Sequence, residues 1–147
     1  CRASLDRTYA KRELYTFALA WSNLAMYYSR LDRWDEALEA ATAGFQHARE
    51  SGIASFAAFA LQTIAAVLVF RGDAHDGARL AGYVDARIAE IAFERGATEN
   101  AQYQRLLARA RAIVGRGDVD AELTRGRALS PDDALQLAGF ARHGFSP

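Results

Sequence analysis

Three histidines, His47, His75 and His143, are the first residues to test for chemistry. A metal centre needs them at ligand spacing from one another, from cysteine or from paired carboxylates. They fall on different elements, and the chain has a single cysteine, Cys1. Surface or helix-cap positions are the expectation for all three, and no metal site is expected. Carboxylates cluster at Asp35-Glu36 with Glu39, and again at Asp132-Asp133. Both clusters sit where helices begin, and negative charge there offsets the helix dipole. General acid–base work is not expected of them. No serine has a histidine at readable spacing. Gly115-Arg116-Gly117 is too short to cradle a phosphate, and nothing matches GxxxxGK[ST]. The expectation is a non-enzymatic chain with no catalytic residue and no cofactor.

Nucleic acid is the next class to test. Arg105, Arg109, Arg111, Arg116, Arg125 and Arg127 outnumber Asp118, Asp120 and Glu122 by three between positions 105 and 127. Such a patch could touch phosphates. At this density it reads as the solvated faces of amphipathic helices, and no direct nucleic-acid binding by this segment is expected.

The elements must then carry function by recognition. The chain has 147 residues, zero formal net charge and two prolines, and half of it is hydrophobic. That fits one helix-rich domain or a linear stack of repeats. Seventeen arginines against one lysine point to a GC-rich coding sequence. One cysteine excludes a disulfide within the chain, and a reducing cytoplasm is the expected location. The absence of an initial methionine and the helix-like residues 1–12 read as a piece of a longer protein. Positions 51–70 carry no charge, the length of a membrane span. Ser51, Gly52, Ser55, Gln62 and Thr63 and the abundance of alanine argue instead for a helix buried on most sides, so no membrane span is expected.

Helical periodicity runs throughout. Leu14, Phe17, Ala18, Trp21, Leu24, Ala25, Tyr28 and Leu31 predict a helix over 13–31. Asp32-Arg33 breaks it. Further helices are expected over 34–50, 53–71, 74–94 and 99–114, with turns at Ser51-Gly52, Gly72-Asp73, Gly96–Asn100 and Gly115–Asp118. Ser130 caps a final helix over 131–142, with Pro131 in its first turn and Leu135, Leu137 and Phe140 on its apolar face. Trp21 aligns with Leu61, Ala25 with Ala65, Tyr28 with Leu68, Asp32 with Gly72 and Ala37 with Gly77, always at an offset of forty. A period of two helices and a tight turn signals a helical solenoid. Small residues at Ala25, Ala37, Ala65, Gly77 and Ala78 would let helices approach closely, while the large ones fill space between hairpins.

WSNLAMYYSRLDRWDEALEAA, residues 21–41, resembles a tetratricopeptide repeat at Trp21, Leu24, Ala25, Tyr28, Ala37 and Ala41. Ala25 stands where that repeat has glycine, Gly44 where it has alanine, and forty residues exceed its usual period of about 34. The C-terminal third, with RGDAHDGARLAGYVDARIAEI and Gly126-Arg127-Ala128-Leu129-Ser130, resembles the end of the helical array in bacterial signal-transduction ATPases, LuxR-type transcriptional regulators. Residues 129–147 loosely resemble the opening of a DNA-binding domain, without a recognition helix. The resemblance implies an all-α fold: a right-handed α-α superhelix of tetratricopeptide-like hairpins with a C-terminal capping helix. Its repeats would be 13–51 and 53–94, followed by a degenerate capping hairpin 98–128 and the final helix 131–142.

In such arrays the first helix of each hairpin lines the concave face. That register puts Leu19, Ser22, Met26, Ser29 and Arg30 of the first repeat on the groove, with Phe59, Gln62, Ala66 and Val69 of the second. The surface suits a peptide, a partner protein or a small effector. The same residues could instead pack against neighbouring repeats. The expected function is a sensor or scaffold in a bacterial transcriptional regulator, and the alternative is a freestanding adaptor. Exposed ends of the stack predict self-association.

Overall fold

A computed structural model of the chain describes residues 2–140. Seven helices follow one another: α1 Arg2–Arg30, α2 Trp34–Ser51, α3 Ala54–Phe70, α4 Ala74–Glu90, α5 Ala97–Val114, α6 Arg116–Arg127 and α7 Pro131–Leu137. The fold is all-α, with no strand among the described residues. No helix among them is long and apolar enough to cross a membrane.

The forty-residue offset is built into the backbone. Asp32 and Gly72 both take a left-handed φ, at 59° and 102°. Around them, Arg33 N–H donates to Tyr28 O at 2.9 Å, and Asp73 N–H donates to Leu68 O at 2.8 Å. The loops between hairpins repeat as well. Gly52 and Ala92 have φ of 73° and 51°. Ile53 N–H reaches Ala48 O at 2.9 Å, and Phe93 N–H reaches Ile88 O at 3.0 Å. These are left-handed helix caps, the conformation glycine favours. Asp32 and Ala92 hold it with a Cβ present, at a cost of about 1 kcal/mol each.

Burial explains the uncharged stretch. Every residue from Ala58 to Val67 of α3 is buried, because α1, α2, α4 and α5 all pack on this helix. Ala25, Ala37, Ala65 and Ala78 are buried where helices meet. At Gly77, a Cβ would lie 2.4 Å from Val69 Cγ2 and 2.8 Å from Ala65 O, so α3 and α4 require a glycine there.

Four boundaries differ from the sequence expectation, the first being that α1 begins at Arg2 rather than 13. α4 stops at Glu90 rather than 94, because Ala92 makes the reversal and swings Phe93 onto Phe59, ring centroids 5.8 Å apart. No glycine advertises that stop. The expected turn over 115–118 contracts to Gly115 alone, at φ 91° and ψ 156°, and α6 begins at once. Only glycine adopts that backbone freely, so one residue redirects the chain. The α6 helix then lies along α4 and touches α5 lightly, so 98–128 is not a simple hairpin. α7 ends at Leu137, where Gly139 at φ 94° lets Phe140 N–H bond Leu135 O at 2.9 Å. Positions 141 and 142 of the expected final helix lie outside the described residues. Its cap is as expected: Ser130 Oγ accepts from Asp133 N–H at 3.1 Å. Ala134 is fully buried, and the Phe140 ring stacks on Phe45 of α2 at 5.1 Å.

Candidate functional site

α1 and α3 lie side by side, and the N-terminal half of α5 rests against both. Two cavities, each of about 290 Å³, open along this seam and share Met26. The first takes Met26, Ser29 and Arg30 from α1, Ala66 and Phe70 from α3, Trp34 from the start of α2, and Ala97, Ala101, Gln102 and Arg105 from α5. The second takes Leu19, Ser22 and Met26 from α1, Phe56 and Phe59 from α3, and Phe93, Glu94 and Glu99 from the approach to α5.

Seven of the nine expected groove residues therefore line these cavities: Leu19, Ser22, Met26, Ser29, Arg30, Phe59 and Ala66. Gln62 and Val69 do not. Val69 is fully buried on the side of α3 that meets Gly77 of α4. Gln62 is consumed as a tie between helices. Its Nε2 donates to Glu99 O at 2.9 Å and to Gln102 Oε1 at 3.0 Å, and its Oε1 accepts from Arg95 Nε at 2.7 Å. Gln102 Nε2 in turn donates to Ser29 Oγ at 3.0 Å and Thr63 Oγ1 at 3.1 Å. Ser29, Gln62, Thr63 and Gln102 are all buried and all bonded, as buried polar groups must be. The network pins α1, α3 and α5 together and fixes the width of the seam.

The contribution of α5 and the aromatic wall went unseen in the sequence. Trp34 and Phe70 stack with centroids 4.4 Å apart. The Arg105 guanidinium stands 5.6 Å from the Trp34 ring and 4.9 Å from that of Phe70. Arg105 also donates to Ser29 O at 2.9 Å and pairs with Asp32. A signal for Gln102 was present: it follows Gln62 by forty residues, so carrying the register one step further reaches it.

Beside the seam, Asp85 accepts from Arg95 Nη2 and from Tyr103 Oη, both at 2.7 Å. Burial, then the bond to Asp85, pushes the Tyr103 phenol up to about 12. On the far side, buried Glu122 accepts from Arg79 Nε at 2.7 Å and pairs with Arg125, and the Arg79 bond foremost holds its carboxyl below the usual range. Three of the six arginines between 105 and 127 thus serve internal ion pairs: Arg105 with Asp32, Arg125 with Glu122, and Arg127 with Asp85. His47 stacks on Phe17 at 5.7 Å, and half-exposed His75 sits 3.8 Å from Glu122. His143 and Cys1 lie outside the described residues. No group of three or more metal-ligating side chains comes together among the described residues.

No protein-family model, no curated protein and no solved structure matches the chain.

Proposed function

We propose that the chain is a recognition domain that binds an effector or partner in the seam between α1, α3 and α5. It would act as the sensor or scaffold part of a bacterial transcriptional regulator of the signal-transduction ATPase type, working in the cytoplasm. The observation that carries this reading is the seam itself. It has an apolar floor, a few polar points, and walls held at fixed separation by a saturated hydrogen-bond network. A preorganised concave surface of this kind suits binding. The hairpin turns, repeated at forty residues, and the signature residues from Trp21 to Ala41 support a tetratricopeptide-like array with a right-handed superhelix. Binding in the seam would bias the parent protein by favouring the state of it in which this preformed seam is assembled.

The coding sequence upstream of Cys1 tests the reading. Further forty-residue hairpins preceded by a GxxxxGK[ST] loop are the expected result. A natural start close to Cys1 would remove the link to an ATPase and leave a freestanding adaptor.

A further inference from the structure

We infer that the cavity beside Trp34 takes a small monoanionic ligand with an apolar body, an aryl or short alkyl carboxylate, with its carboxylate on Arg30. The inference rests on the recognition reading above and narrows it to one chemical class.

The charge argument comes first. Around the cavity, Arg33 pairs with Glu36, Arg71 with Asp35 and Arg105 with Asp32. Arg30, at the rim, has no ion-pair partner among the described residues. One uncompensated guanidinium calls for one negative charge. A dianionic phosphate would leave a charge unmatched, and an ammonium would be repelled. The planar guanidinium also matches a carboxylate in two parallel hydrogen bonds.

The body follows from the walls. Met26, Ala66, Phe70 and Ala101 offer only carbon and sulfur. The polar groups at the back are already committed: Ser29 Oγ donates to Met26 O at 3.0 Å and accepts from Gln102 at 3.0 Å. A ligand hydroxyl or amide pushed against Ser29 or Gln102 would find both already bonded and would lose its water, so an apolar group is favoured at that end, and Thr98 and the Trp34 indole N–H are the polar groups left on the wall. A volume of about 290 Å³ lies at the bottom of the range for ligand sites, which limits the body to one ring or a short chain.

Isothermal titration of the chain with 3-phenylpropanoate, hexanoate and the neutral 3-phenylpropanol tests this, with tryptophan emission followed in parallel. The acids should saturate one site and bind at least tenfold more tightly than the alcohol. Arg30→Gln should erase that preference. Ala101→Phe, an exposed wall position, should block all three without changing the melting temperature. Equal binding of acid and alcohol, or a preference that survives Arg30→Gln, overturns the carboxylate assignment. If Ala101→Phe still blocks that binding, the recognition reading stands. Failure of all three probes to bind at millimolar concentration overturns the inference. The upstream coding sequence then decides the broader reading separately.

Discussion

The two ends of the molecule are built on opposite terms. At one, α6 lies on α4 so closely that the backbones touch. A Cβ on Gly126 would lie 1.8 Å from Arg79 O, and one on Gly82 would lie 2.2 Å from Leu123 O. Val119 is sealed beneath, and Glu122 is held by two arginines. At the other end, residues 2–13 of α1 are exposed throughout, and the outer face of the helix is apolar. Leu24, Tyr27 and, just past the helix, Leu31 are 39%, 57% and 49% exposed, and Phe17 is 51% exposed with its ring against His47 of α2. At the first end two helices meet backbone to backbone, while at the second large apolar side chains stand in solvent. Small residues thus let helices meet backbone to backbone, and large ones leave apolar surface in water.

The strongest way to break this contrast is at the closed end. Gly126→Ala should cost about 3 kcal/mol or abolish folding, because its new methyl meets backbone rather than a movable side chain. Gly117→Ala, in the same helix with nothing within 4 Å, should be neutral or stabilise by up to about 1 kcal/mol. Urea midpoints of the pair decide it, and equal effects would refute the close approach. Gln102→Leu should cost about 2 kcal/mol, since Ser29, Thr63 and Gln62 lose their shared partner while buried. A loss below ~0.5 kcal/mol would mean that the network does not hold the seam.

The Tyr103 phenol offers a gentler probe. Its folded pKa of about 12 exceeds the ordinary 10.0, so the folded state favours the protonated form. Stability from this group is complete below pH 10 and is lost as the pH rises from 10 towards 12. Tyr103→Phe should flatten that limb of a melting-temperature profile. The smallest effect on stability belongs to the open end. Leu24→Ser with Tyr27→Ser should shift it by less than ~0.5 kcal/mol, because neither side chain is in the core. The wild-type chain should self-associate in light scattering, and the double variant should be a monomer. A wild-type monomer at high concentration would overturn the expected self-association.

Most of the helical layout could be read from sequence because apolar spacing and glycine punctuation agree over 13–90. The left-handed turn at Asp32 was locatable only by alignment with Gly72, since aspartate by itself signals a break rather than a conformation. Ala92 had no such tell: an alanine in a left-handed cap is set by the pull of Phe93 onto Phe59, a tertiary effect. The site was half legible. Helical register placed Met26, Ser29 and Ala66 on the seam. It also offered Gln62 and Val69, because register gives the face of a helix and not the identity of the neighbour across it. The α5 wall depended on how a third element docks, which no local pattern encodes.

The duplicated turns bear on how such a chain can change over generations. Since the caps at Gly52 and Ala92 close with the same hydrogen bonds, a forty-codon block copied in frame at that boundary would find its joints already made. An insertion of another length inside a helix would instead turn the residues after it onto a different face. The boundary between α2 and α3 is therefore where a whole block could be added with least disturbance to the glycine-locked end.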